Sequence, residues 1–259
     1  MKVDTIMLIV ILVICFVLLS CTTKNNEINE LSDIVNHNIG VPTGTIIARS
    51  VSSVFPEAKF TYYDSFLDAA LDVKNGKINV MACDEPILRN IVAKNPGLKI
   101  LGEMITFDDY CLAVKLENYE LKANIDKTIE FLKKSGLYDD MLRRWLPSTG
   151  NPSRMPELNT KQENGILRFG TSPITEPFSF IDDQEKHAGF NVELAYYVAM
   201  QMGMSLEIVE LPFNDLITAI EEDRVDMIGS CLTYSEERAA RILFSESYYP
   251  GGIAALVRE

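Results

Sequence analysis

One pattern in this chain occurs twice. Laying "SFLDAALDVKNGKINVMACD" (65 to 84) over "PFNDLITAIEEDRVDMIGSC" (212 to 231) matches Phe66 with Phe213, Asp68 with Asp215 and Lys77 with Arg224. Apolar Val73, Ile78 and Val80 fall on Ile220, Val225 and Met227. Each copy reads as an amphipathic helix, a turn and a short apolar strand. The strand of one copy ends at Asp84 and that of the other at Cys231, and open α/β sheets bind ligands at the carboxyl ends of their parallel strands. Two such units facing one another would form a cleft.

The stretch "PSTGNPSRMPELNTKQENG" (147 to 165) is rich in Pro, Ser, Asn and Gly and reads as a linker between two halves. In the first half, strands are expected at Ile39 to Val41, Lys59 to Tyr63, Ile78 to Ala82, Leu98 to Leu101 and Tyr110 to Leu116, with closing helices at Leu121 to Lys134 and Leu137 to Leu146. In the second, strands are expected at Leu167 to Gly170, Phe178 to Ile181, Leu206 to Glu210, Val225 to Ser230 and Ile253 to Val257. Helices there are expected at Val192 to Met202, Asn214 to Glu222 and Glu236 to Ile242. Strands alternating with helices imply an α/β fold with mainly parallel sheets.

Residues 1 to 21, "MKVDTIMLIVILVICFVLLSC", hold an apolar run from Ile6 to Leu19 that is shorter than the roughly 20 residues of a spanning helix. The reading is an export signal ending in a bacterial lipoprotein box, with Cys21 as the lipidated residue; an uncleaved membrane anchor is the alternative. Residues 22 to 30 form a polar tether. The segments that follow are 31 to 146, the linker 147 to 165, and 166 to 259. Beyond Cys15 and Cys21 the chain has Cys83, Cys111 and Cys231, an odd number at unrelated spacings, so no disulfide framework is implied. Two histidines, His37 and His187, without ligand spacing give no metal pattern and call for no cofactor. A net charge of −13 argues against a nucleic-acid partner.

The turn in "IGVPTGT" (39 to 45) runs from a strand toward a helical segment, so its amides could hold an anion. No Lys-Ser/Thr pair follows Gly44, which argues against a nucleotide loop and leaves a carboxylate or an ordinary strand-helix turn.

Several segments resemble, in order, the lobes of the family 3 extracytoplasmic solute-binding proteins. "LRFGTSPITEPFSFIDD", "GFNVELAYYVAMQMG", "FNDLITAIEEDRVDMI", "TYSEERAARILFSESYY" and "GGIAALVR" follow the first lobe. "LSDIVNHNIGVPTGT", "ALDVKNGKINVMACDEP", "DDYCLAVK" and "KKSGLYDDMLRRWL" follow the second lobe and its closing helices. The resemblance implies a two-lobed periplasmic-binding-protein-like fold of type II with the ligand between the lobes. The implied function is capture of a small polar ligand, an amino acid above all, for an ABC transporter permease at a membrane holding the lipid anchor. A ligand-sensing domain for a membrane signalling partner would use the same cleft. The halves stand in the reverse of the family's order. This fits a circular permutant, or the front of a longer tandem or permease-fused protein.

The resemblance also implies a binding site. Arg238 matches the arginine that grips the ligand carboxylate, and a planar guanidinium suits that task. Thr233 and Ser235 would complete the cradle, with Gly44 and Thr45 adding amide donors from the other lobe. Asp84 matches the acid that takes the ligand ammonium, although an Asp at a helix start is also an ordinary cap. Phe213 and Phe178 would pack on the ligand side chain or lie in the core, and Ser172 belongs to the same first-lobe loop. Thr175 stands where the family has an aromatic, which weighs against a cationic or aromatic ligand. Asn191 replaces a common acid. An enzyme on this fold would need a positioned acid-base set, and the chain offers one strong acid candidate in the cleft and no added catalytic domain.

Overall fold

The computed structural model describes residues 28–147, 153–160 and 163–259. The export signal, Cys21 and most of the tether lie outside the described residues, as does part of the linker. After a 3-10 turn at Leu31–Asn36, the first half runs β1 (Asn38–Pro42), α1 (Ile47–Val54), β2 (Lys59–Tyr63), α2 (Phe66–Lys74), β3 (Val80–Asp84), α3 (Glu85–Lys94), β4 (Leu98–Met104), β5 (Asp108–Lys115), α4 (Tyr119–Ser135) and α5 (Leu137–Trp145). The second half runs β6 (Ile166–Thr171), β7 (Ile174–Thr175), β8 (Ser179–Ile181), β9 (His187–Ala188), α6 (Phe190–Met202) and β10 (Ser205–Glu210). A 3-10 turn at Phe213–Asp215 leads into α7 (Leu216–Glu221), β11 (Met227–Ile228), α8 (Glu236–Ala239), β12 (Ile242–Gly251) and β13 (Ile253–Arg258).

Two five-stranded sheets carry the fold, ordered β2-β1-β3-β13-β4 and β10-β6-β11-β5-β12, with β7, β8 and β9 in a small third sheet. β1 pairs in parallel with β2 and β3, and β6 in parallel with β10 and β11. The fourth strand of each order is antiparallel to both its neighbours, and it is lent by the other half of the chain. β5 leaves the first half for the sheet of β6, and β13 leaves the second half for the sheet of β1. This exchange makes two lobes joined by two crossing segments, which bond to one another where Ile105 N donates to Ile253 O at 2.7 Å. The architecture is a two-lobed α/β fold whose two large sheets each combine two parallel and two antiparallel strand pairs.

Local chemistry explains most element ends. Ser65 Oγ caps α2 by accepting from Asp68 N at 3.1 Å, and Asn118 Oδ1 caps α4 by accepting from Leu121 N at 3.2 Å. α6 buries Phe190, Val192, Leu194, Ala195, Val198 and Ala199. Burying each of the larger side chains contributes roughly 1.5–3 kcal/mol.

The second half departs from expectation in the short strands β7 and β9, which no expected strand covers, and at one helix. The helix expected over Glu236 to Ile242 stops at Ala239, and Ile242 opens the ten-residue strand β12. That strand forms because β5 is available beside it as an antiparallel partner. The repeat appears as α2 with β3, and as the Phe213–Asp215 turn and α7 with β11. Each of these strands lies beside the first strand of its lobe.

The closing helices cross between the halves. Tyr138 Oη donates to Tyr248 O at 2.6 Å, and Glu246 N donates to Asp126 Oδ1 at 2.7 Å. Glu193, with no exposure, accepts from Arg144 and from Trp145 Nε1.

Candidate functional site

Between the lobes lies a cavity of about 50 Å³ lined by both halves of the chain. Thr45, Asp84, Phe213, Thr233 and Arg238 line it, together with Asp64, Asp108, Thr175, Ser230 and Cys231. Both ends of the repeated unit therefore reach one space.

Arg238 sits in the short helix α8, whose first turn is fixed by Ser235 Oγ accepting from Arg238 N at 3.2 Å. Its Nη1 donates to Thr233 O at 3.0 Å and to Thr233 Oγ1 at 3.1 Å, and its Cζ stands 5.6 Å from the Phe213 ring centroid. Among the described residues no carboxylate lies within ion-pair distance of this guanidinium, whereas the neighbouring Arg241 is held by Glu221 at 2.8 and 2.5 Å. Burial lowers the Arg238 pKa from its ordinary value. A half-buried cation without a counter-ion is suited to an incoming anion.

Asp84 ends β3 and precedes α3, but its side chain makes no cap hydrogen bond. Its Oδ1 accepts from Tyr110 Oη at 2.5 Å. Burial pushes its pKa up to about 6; the Tyr110 bond and nearby Arg238 pull it down, and Asp108 pushes it up. This is a carboxylate available to a cationic group and partly neutralised in its absence.

The other anticipated residues divide. Thr45 lines the cavity, but its hydroxyl serves the turn, donating to Pro42 O at 3.0 Å and accepting from Ile47 N at 3.3 Å. Gly44 and Ser235 line a neighbouring space of about 170 Å³ on the far side of Arg238, and do not line the inner cavity. Ser172 is buried, and its carbonyl accepts from Ser230 Oγ at 3.2 Å, so it faces an outer groove. Phe178 is wholly buried in the core, with its ring 5.5 Å from that of Tyr110, and it does not reach the cavity. It is held there by the aromatic cluster of Tyr110, Phe190, Tyr248 and Tyr249. Tyr110, Asp108, Ser230 and Cys231 are not singled out as site residues in the sequence, although "DDYCLAVK" contains the first two and the repeat ends on the last two. Among the described residues no group of acidic, histidine or cysteine side chains is arranged to hold a metal ion.

Residues 167–259 match the model of the bacterial extracellular solute-binding proteins, family 3. The match covers a little over a third of the chain. Among solute-binding relatives, the putative ABC transporter arginine-binding protein 2 of Escherichia coli K12 is 27% identical over 127 residues, covering 47% of this chain and 52% of its own. The L-cystine-binding protein TcyJ of the same organism is 32% identical over 102 residues, covering 39% and 38%. The arginine-binding extracellular protein ArtP of Bacillus subtilis is 37% identical over 93 residues, covering 35% and 36%. The chain thus spans about half or less of the length of these relatives. The arginine-bound domain 1 of TmArgBP is 35% identical over 37% of this chain and 81% of its own, with a TM-score of 0.33. Members of the solute-binding family work outside the cytoplasmic membrane. Among the described residues no helix is long and apolar enough to cross a membrane.

Proposed function

We propose that the chain is an extracytoplasmic solute-binding lipoprotein that captures an amino acid for an ABC importer, with its two halves in permuted order. The observation that carries this reading is the placement at one cavity of two opposite charges, each from a different half and neither in an ion pair among the described residues. Among the described residues Arg238 has no carboxylate within ion-pair distance and the Asp84 side chain makes no cap hydrogen bond, and both line the inter-lobe space. A zwitterion presents a carboxylate to the first and an ammonium to the second, and closure removes both from water. Thr233 holds the guanidinium in place, Thr45 closes the cavity from the opposite lobe, and Phe213 offers an apolar wall. Asp64 and Asp108 also line the space, so three carboxylates face one guanidinium. That balance favours a ligand bearing a further positive charge, against the direction suggested by Thr175. The permease partner and lipidation at Cys21 are part of the same proposal, supported by the family of residues 167–259 and by the Leu-Ser-Cys ending of the export signal.

Calorimetry with the free amino acids tests the site. Arg238→Ala and Asp84→Ala are expected to lose roughly 30- to 5,000-fold in affinity, corresponding to about 2 to 5 kcal/mol for one member of a buried charge pair. Arg241→Ala, already engaged by Glu221, serves as the control. Equal losses for Arg241→Ala and Arg238→Ala, or unchanged affinity in Asp84→Ala, would sink the proposal. Lipid labelling of the wild type but not of Cys21→Ala tests the anchor.

A further inference from the structure

Tyr110 links the two lobes beside the cleft. Its hydroxyl donates to Asp84 Oδ1 at 2.5 Å across the lobes. Its main chain forms an isolated antiparallel bridge with Thr233, whose carbonyl and hydroxyl accept from Arg238 Nη1. Its fully buried ring stacks on Tyr249 with centroids 5.7 Å apart. The ring also lies against Gly251, at the crossing from β12 to β13, so closely that a Cβ there would stand 2.3 Å from Tyr110 Cζ. The ring is therefore held by Tyr249 and Gly251, and its hydroxyl faces Asp84.

We propose that Tyr110 is a positioning residue for ligand capture: its hydroxyl aims the Asp84 carboxylate into the cavity, and its main chain holds Thr233 and with it Arg238. This rests on the reading that the cavity takes an amino acid. A donor on a carboxylate oxygen stabilises the charged form, which is the form that binds an ammonium. The other groups facing Asp84 are Asp108 from the start of β5, Arg238 from α8, Cys83 from its own strand, Cys231 beyond β11 and Tyr248 from β12. The Cys83, Cys231 and Tyr248 pKa values lie well above ordinary because they are buried, so these groups stay neutral through the pH range in question. Asp108 opposes the charge on Asp84 and Arg238 favours it. Removing the Tyr110 hydroxyl leaves that balance, and the backbone bond from the Asp84 amide, but takes away the side-chain donor on Oδ1.

The test is Tyr110→Phe in the full chain, which keeps the ring and its packing. In the ligand-free protein, the carbon-13 carboxyl resonance of Asp84 should titrate at higher pH in Tyr110→Phe than in the wild type. Tyr249→Phe, whose ring stacks on Tyr110 without reaching Asp84, should leave that midpoint unmoved. Calorimetry with L-arginine, L-histidine, L-cystine and L-alanine from pH 5 to 8 gives the second readout. The best of these probes should bind Tyr110→Phe about 10- to 100-fold more weakly at pH 7. Its affinity should also fall off at higher pH than in the wild type. An unmoved Asp84 midpoint, or a pH profile identical to the wild type, overturns the proposal. Absence of binding by any probe to the wild type overturns the amino-acid reading instead, and the ligand-free titration still decides whether Tyr110 controls Asp84.

Discussion

Arg144, at the end of the first half, places its Nη1 at 3.0 and 3.1 Å from the two carboxylate oxygens of Glu193, in the second half. Glu193 has no exposure, and its Oε2 also accepts from Trp145 Nε1. A buried carboxylate so satisfied ties the closing helix α5 to α6, whatever the order of the halves. Removing Arg144 strands that charge, and loss of one member of a buried pair costs about 3 to 5 kcal/mol. Arg144→Ala should lower the unfolding free energy, read from denaturant titration, by that amount. Residues 28–147 expressed alone should lack a cooperative transition, because α4 and α5 would expose their apolar faces. A sharp melting transition in that fragment would count against the packing of the two halves into one unit.

If the order of the halves is a permutation, restoring the other order should cost little. A chain in which residues 166–259 precede residues 28–147, joined by a short Gly-Ser linker, is expected to melt within a few degrees of the wild type and to bind the same amino acid. Arg258 and Glu259 line one surface cavity with Ile28 and Asn29, so the new join spans a short gap. Unfolding or loss of binding in the reordered chain would refute the permutation.

Asp84 makes opposite demands on stability and on binding. Its pKa is pushed up to about 6 from the ordinary 3.8, so between these values the folded state holds a proton that the unfolded chain has released. Stability of the ligand-free protein from this group is therefore full below about pH 4 and is lost as pH rises toward 6, by up to about 3 kcal/mol. Ligand affinity runs the other way, falling as pH drops through about 6 and the carboxylate protonates. Asp84→Asn should raise the ligand-free melting temperature at pH 7 and abolish binding. Thermal unfolding from pH 4 to 8, with and without ligand, checks both signs.

Gly44 of the "PTGT" turn lies against Asn214 of the other lobe. Gly44 has φ +75°, and an added Cβ would stand 1.6 Å from Asn214 Oδ1. Gly44→Ala is expected to weaken ligand binding about ten-fold, from roughly 1–2 kcal/mol of backbone strain and steric conflict. Gly136→Ala is the control for strain alone, since Gly136 has φ +82° and nothing within 4 Å of its Cβ position. Adding Asn214→Ala to Gly44→Ala should recover part of the loss. Equal affinities for Gly44→Ala and Gly136→Ala would show that the contact is idle.

The sequence by itself determined the parts whose signals are local. Helix caps at Ser65 and Asn118, the apolar runs of β1 and β3, and the repeated helix-turn-strand unit all follow from spacing over a few residues. The same repeat led to Asp84 and Cys231, and the "SEER" motif led to Arg238, because a recurring unit places its strand ends at equivalent positions. Tertiary structure decided the rest. β12 was hidden in "ILFSESYYPG", whose mix of polar and aromatic residues becomes a strand only beside β5. Phe178 and Phe213 are the same residue type near the same cleft. One is drawn into the aromatic core and the other lines the cavity, because burial depends on neighbours distant in sequence. Tyr110 shows the limit most clearly. Its partners Asp84, Thr233 and Gly251 lie 26 or more positions away, and they meet only because β5 and β13 cross between the lobes.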